Sequence, residues 1–155
     1  MQIIYFVDPN FTYELSTKSI LSIRYATDGF SFCVHKAADK LVVFVLEPHV
    51  VDSREAAVAR LKNYVVNDAI LNLRFKKVYI MPCFKEKLLV PGAFFDKNNV
   101  ATLYTVNQEI TPDDMLLYHH IESIDAYLIE TIIASFNDFI REHFPVVQIV
   151  NEAYP

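Results

Sequence analysis

Glycine is nearly missing from this chain. Only Gly29 and Gly92 occur among 155 residues, far apart and each alone. Phosphate-binding loops bring backbone N–H groups up to an anion and normally need several glycines close together. A P-loop, a dinucleotide fingerprint and a kinase loop each require at least two within a short window, so none of the three can be built here. Tryptophan is absent, and cysteine is limited to Cys33 and Cys83. Two cysteines make neither a disulfide framework nor a zinc ribbon. Basic residues are outnumbered, 14 Lys+Arg against 19 Asp+Glu, for a net charge of −5. That balance argues against a nucleic-acid scaffold, which needs a cationic face to displace the counterions of phosphate. No apolar run reaches the ~20 residues of a membrane span. Residues 1–8 lack the basic end and small-residue cleavage site of a signal peptide. The expected compartment is the cytoplasm, without membrane insertion.

What the chain has is apolar mass. It is 53% hydrophobic and 21% charged, enough to bury one sizeable core and too apolar for disorder. Residues 3–7 read as a short strand before the turn cluster Asp8-Pro9-Asn10. Leu21, Ile23 and Tyr25 alternate with Ser22, Arg24 and Ala26; Phe30, Phe32 and Val34 alternate with Ser31, Cys33 and His35. Asp28-Gly29 between the two runs predicts a hairpin whose two central turn residues take positive φ. Residues 37–40 form the next turn. Residues 41–46 are continuously apolar, the pattern of a strand interior to a helix-covered sheet, and Glu47-Pro48 ends it. Asp52 or Ser53 can cap a helix with the stripe Val58, Leu61, Val65 and Ala69. Asn67-Asp68 breaks it, and a second helical piece runs to about Leu73. Strands are expected over 78–81 and 87–90, each ended by a proline, and a helix over 91–99 with Pro91 at its start and Phe94-Phe95 as anchor. Residues 101–106 are ambiguous, 115–121 read as a strand, and 124–128 fit a strand or a helix start. Ile132, Phe136, Phe139, Ile140 and Phe144 make one helical stripe ended by Pro145, and 146–150 are a last strand. There is no internal repeat, low-complexity tract or Gly/Ser linker. The simplest organisation is one α/β domain over 1–155 with a mixed sheet, antiparallel at first and then built by helical crossovers.

This order resembles the ribonuclease H-like lobe of the actin-like ATPase superfamily, where a three-stranded antiparallel start precedes parallel strands joined by helices. The stretch LSIRYATDGFSF at 21–32 is similar to the opening signature of a bacterial family, mostly from Bacteroidetes, of uncharacterised proteins with an actin-like ATPase fold. FKKVYI at 75–80 and LVPGAFF at 89–95 are similar to the same family in order and spacing. The resemblance covers roughly Leu21 to Pro155. It implies a ribonuclease H-like, actin-like ATPase lobe with helices packed on its mixed sheet. It also implies a second, related lobe after Val150, so that this chain is expected to hold the first half only.

In actin-like ATPases the first hairpin holds a phosphate, with an Asp at the end of the first strand and Gly and a hydroxyl residue in the turn. The resemblance carries those roles to Thr27, Asp28, Gly29 and Ser31, with ATP and Mg²⁺ as the implied cofactor. Against it, the first strand offers Arg24 and no carboxylate, and the second Gly of the motif is missing. The plainer reading is that Asp28-Gly29 only makes the turn. A ribonuclease H-type nuclease needs several carboxylates converging on two divalent ions; only Asp125 and Glu55 offer themselves. His119 and His120 are adjacent, so on a strand they point to opposite faces and do not share a metal. His35, His49 and His143 have no partner at ligand spacing. Cys33 and Cys83 read as buried thiols. Asp113-Asp114 after Thr111-Pro112 reads as turn and cap chemistry. Lys85 and Lys87 with the pair Lys76-Lys77 form the only basic cluster and read as a solvated rim. No catalytic residue and no metal ligand is assigned.

The aromatics, 12 Phe and 9 Tyr, are many for this length. Those outside the core would cover a face that another lobe or a second copy buries. The expected function is a non-enzymatic actin-like-fold scaffold or protein-interaction module, acting through a protein partner or self-association. The alternative is an ATP-binding or ATP-hydrolysing protein that needs a second lobe.

Overall fold

The computed structural model describes residues 2–36 and 40–151; the turn expected at 37–40 lies, over 37–39, outside the described residues. The elements in chain order are β1 (Ile4–Val7), α1 (Tyr13–Ser16), β2 (Ile20–Ala26), β3 (Gly29–His35), β4 (Leu41–Pro48), α2 (Arg54–Asn67), β5 (Lys77–Pro82), β6 (Lys87–Pro91), α3 (Val100–Thr105), β7 (Asp114–Ile121), β8 (Ala126–Ile133), α4 (Ala134–His143) and β9 (Val147–Ile149). They fall into two compact units, Met1–Cys83 with Ile140–Glu152, and Phe84–Phe139.

The first unit holds a six-stranded sheet in the order β1-β4-β3-β2-β5-β9. β1–β4, β4–β3 and β3–β2 are antiparallel, whereas β2–β5 and β5–β9 are parallel. A short turn suffices for the antiparallel pair β2–β3, while the parallel strands need long crossovers, the first of which carries α2. The alternation in β2 and β3 buries Leu21, Ile23 and Tyr25 against Val34, Phe32 and Phe30 in register. Tyr64 of α2 packs its ring edge-on against Phe30 at 4.6 Å and over Phe32 at 6.2 Å. The helix therefore covers this face of the sheet. Ser53 caps it, its Oγ accepting from the Ala56 N–H at 3.1 Å. Ala57, Val58, Leu61 and Val65 form its buried stripe. The helix stops at Asn67 because Asp68 is extended, φ −87°, ψ 128°. Its carboxylate then accepts from the N–H groups of Ile70 and Leu71. These bonds fold 69–73 into turns, so the second helical piece expected there does not form and Ala69 lies exposed beyond the stripe.

The second unit is a three-stranded antiparallel sheet, β6-β8-β7. Val90 and Ile129 pack with Val100 and Tyr104 of α3 in a core bordered by Leu88, Leu103 and Leu116. The Tyr104 hydroxyl donates to the Glu86 carbonyl at 2.9 Å, satisfying the one polar atom this ring brings inside. The helix expected over 91–99 is instead a single 3₁₀ turn, Gly92–Phe94. Asp96 takes hydrogen bonds from Asn98 N and Asn99 Nδ2 and so holds the chain in a turn until Val100. Of the expected anchor pair, Phe95 stacks on Tyr127 at 3.7 Å while Phe94 stays 73% exposed. The ambiguous stretch 101–106 is mostly α3, and 126–128 belong to β8. Ile132 also belongs to β8; the stripe of α4 is Phe136 and Ile140, continued by Phe144, all buried. Asp113, expected to cap or turn the chain locally, instead meets the start of α4, far along the sequence. Its carbonyl accepts from Ala134 N at 2.7 Å and its carboxylate from Ser135 Oγ at 2.9 Å. Asp114 makes the turn by accepting from Thr111 N at 2.7 Å. Among the described residues no helix is long and apolar enough to cross a membrane.

Candidate functional site at the first hairpin

The register pairs Ala26 with Gly29, so the two loop residues of the hairpin are Thr27 and Asp28. Neither has positive φ; Gly29 does, at +140°. The expectation of a turn centred on Asp28-Gly29 with two positive φ values is thus corrected by one position. Gly29 opens β3, opposite Pro48 of β4. A Cβ at Gly29 would lie 2.5 Å from the Glu47 carbonyl oxygen and 3.0 Å from Pro48 Cα. The room left by the missing side chain is filled by the β4 backbone, and that close approach is why glycine stands here.

The chain after β4 crosses the turn and ties it down. His49 N donates to the Asp28 carbonyl at 3.1 Å and Val51 N to the Thr27 carbonyl at 2.9 Å. The Asp28 carboxylate pairs with Arg24 Nη1 at 3.3 Å in an exposed contact, the residue whose presence on the first strand the sequence already marked. Ser31 is half-buried on β3, in register with Arg24 and Leu46. Thr27, Asp28, Gly29 and Ser31 are therefore neighbours on one hairpin, and Asp28 carries an arginine instead of facing an open cradle.

Behind the turn lies a polar group the sequence did not single out. Glu47 is buried and accepts from Arg60 Nη2 of α2 at 2.7 Å. His49 is 8% exposed, with its ring edge-on to Phe30 at 5.8 Å. Among the described residues neither of its ring nitrogens has a hydrogen-bond partner. Burial first, and the Arg60 cation second, push its pKa below the ordinary histidine range; the Glu47 and Asp28 carboxylates pull the other way. The neutral imidazole is thus the folded-state form. The unfolded chain takes up the proton more readily, so stability falls as pH drops through and below about 6.5. Thermal melts between pH 7 and 5 should show this loss in the parent and a smaller one in His49→Leu, which no longer buries an unpaired ring nitrogen. Identical pH profiles for the two proteins would contradict the assignment. Nearby, burial and then the Asp68 carboxylate push the Tyr64 hydroxyl up to about 12, so it stays protonated. No sequence pattern reports His49 as polar and buried, because it follows Pro48 at the end of an apolar strand.

The remaining candidates are dispersed. Glu55 lies exposed on α2 beside Arg54, and Asp125 belongs to the second unit, where it meets His120 Nε2 at 3.0 Å. His119, on the other face of β7, sits 3.3 Å from Glu130, so the expected division of the two histidines between faces is borne out. Lys87 corrects the reading of the lysines as a solvated rim: its side chain is only 14% exposed and lies 3.5 Å from Glu130. Cys33 and Cys83 are each half-buried, which corrects the reading of both as buried thiols; partial burial pushes the Cys33 thiol up. Among the described residues no three His, Cys, Asp or Glu side chains come together as a metal site.

Comparison with known proteins places this geometry in a family. Residues 8–155 match the family described as Protein of unknown function (DUF3822). The chain belongs to the DUF3822 family. Among curated proteins nothing matches. Among solved structures, the chain is similar to the crystal structure of a Bacteroides thetaiotaomicron protein with actin-like ATPase fold and unknown function. The two share 26% identity and superpose with a TM-score of 0.78, over 91% of this chain. This DUF3822 chain spans 55% of the length of that protein. The mixed sheet with its antiparallel first strands is accordingly an actin-like ATPase fold, as the order of elements and the stretch at 21–32 implied.

Proposed function

We propose that this DUF3822 chain is a non-enzymatic module of the bacterial cytoplasm that works through protein contacts, self-association first among them. The observation that carries this reading is β1. It is an edge strand, bonded only to β4 among the described strands. Ile3, Ile4, Tyr5 and Phe6 along it are 48–62% exposed. An edge with free backbone groups and uncharged apolar side chains is a template for another strand. Natural edges are usually protected by charge, proline or a bulge. None of these occurs between Ile3 and Val7.

Sedimentation velocity across a hundredfold range of concentration tests it. The parent is expected to associate as concentration rises, and Tyr5→Lys, which places a charge on the edge, to stay monomeric. A parent that sediments as a monomer throughout overturns the reading. The alternative, ATP with Mg²⁺ held at Thr27, Asp28, Gly29 and Ser31, rests on the fold likeness. It is disfavoured by the Arg24–Asp28 pair and by the β4 backbone filling the space at Gly29. Calorimetry with Mg-ATP separates the two readings: the absence of heat and of stabilisation at millimolar nucleotide is expected, and saturable binding lost in Asp28→Ala would favour the alternative.

A further inference from the structure

The segment leading into β5 and the segment leaving α4 line an open cavity of about 300 Å³ within the first unit. That is the lower end of the size range of small-molecule sites, ~300–1,000 Å³. Its walls are mostly apolar: Leu73, Phe75, Val78, Phe144 and Val146. Arg74 and His143 are the polar residues in the lining. The backbone around Arg74 is held in place, its carbonyl accepting from Ser16 Oγ at 2.9 Å and Lys76 N donating to the Ser19 carbonyl at 2.9 Å.

The charge beside this cavity is lopsided. Arg74, Lys76 and Lys77 fall within four positions and are all exposed. Among the described residues none of the three side chains makes a hydrogen bond or ion pair. The chain as a whole has more acids than bases, 19 against 14, and yet among the described residues these three cations stand outside every ion pair. An apolar pocket flanked by uncompensated cations is complementary to an anion with an apolar body. A guanidinium also matches a carboxylate in shape, two N–H groups to two oxygens.

We propose that this cavity binds a small carboxylate, its apolar body against Phe75, Val78 and Phe144 and its carboxylate on Arg74 in the field of Lys76 and Lys77. The site is separate from the hairpin and from the self-association edge. It opens at the N-terminal ends of the parallel strands β5 and β9, whereas the turn at Thr27-Asp28 follows the C-terminal end of β2. β1 lies at the far edge of the same sheet.

Octanoate is a suitable probe, titrated into the chain by calorimetry or by NMR. One saturable site is expected, with octanol, the same body without the charge, binding at least about tenfold more weakly. Arg74→Ala, at an exposed position, should weaken octanoate about tenfold and leave octanol unchanged. Val146→Trp, at a half-exposed wall position, should fill the cavity and abolish both, with an unaltered circular dichroism spectrum. No saturation at millimolar octanoate overturns the proposal. So does equal affinity for octanol, or octanoate binding indifferent to Arg74→Ala.

Discussion

Gly29→Ala is expected to destabilise the protein by about 3 kcal/mol or more, since two separate costs fall on one methyl group. The first is conformational. Gly29 has φ +140°, a region that side-chain-bearing residues rarely adopt, at a cost of order 1–3 kcal/mol. The second is steric. The new Cβ would sit 2.5 Å from the Glu47 carbonyl oxygen, 3.0 Å from Pro48 Cα and 3.2 Å from His49 N. All three are backbone atoms of the strand end and its continuation, so no side chain can swing aside. Relief requires β4 to move away from β3, which strains the bonds from His49 N and Val51 N to the turn. For a chain of this size each kcal/mol is worth roughly 2–4 °C, so the melting temperature should fall by about 6–12 °C. Thr27→Ala is the control. The turn uses only the backbone carbonyl of Thr27, so that change should stay within about 0.5 kcal/mol. If Gly29→Ala unfolds at the same denaturant concentration as the parent, the close approach is not what holds this hairpin.

Lys87→Met is the other change with a large expected effect, about 3–5 kcal/mol. Glu130, in the middle of β8, is 2% exposed. Cross-strand register places Lys87 of β6 directly opposite it, and His119 of β7 approaches from the other side. The carboxylate thus lies between two nitrogen-bearing side chains, at 3.5 Å from Lys87 Nζ and 3.3 Å from His119 Nε2. Removing the lysine charge while keeping most of its length leaves a buried carboxylate without its permanent cation. The double variant Lys87→Met with Glu130→Leu should recover most of the loss, because an apolar replacement of a whole buried pair is often neutral or better. A double-mutant cycle by urea denaturation reads the coupling directly. A single-variant cost below about 1 kcal/mol would show that the pair is solvated and contributes little.

Much of the fold is legible in the residues because much of it is local. The alternation around Tyr25 and Phe32 requires a two-faced strand pair, and Ser53 ahead of Val58 and Leu61 specifies where a helix starts. The errors have local causes too. At 69–73 and 96–99, Asp68 and Asp96 hydrogen-bond to nearby N–H or amide groups and divert the chain into turns, where a continued stripe and a proline start with a Phe pair suggest helix. The hairpin stands where the alternation predicts it, with its turn at Thr27-Asp28, one residue before the Asp-Gly pair. Asp-Gly signals a turn in general, and only the neighbouring strand decides which of the two residues must do without a side chain.

The candidate sites were far less legible. His119 behaves as its immediate neighbours suggest. Lys87 and His49 do not. A lysine expected on a solvated rim comes to pair with a buried glutamate, and a histidine after a proline is buried with neither ring nitrogen hydrogen-bonded among the described residues. By itself the order of residues determined that no glycine-rich phosphate loop can form and that the chain is an α/β fold with an antiparallel opening, since backbone freedom and side-chain periodicity are properties of short stretches. Only the tertiary structure decided what Gly29 accommodates, what neutralises Glu130 and where uncompensated cations meet an apolar hollow. Each of those depends on which distant strand comes to lie alongside, and pairing between distant strands is set by the packing of the whole sheet and not by any one segment.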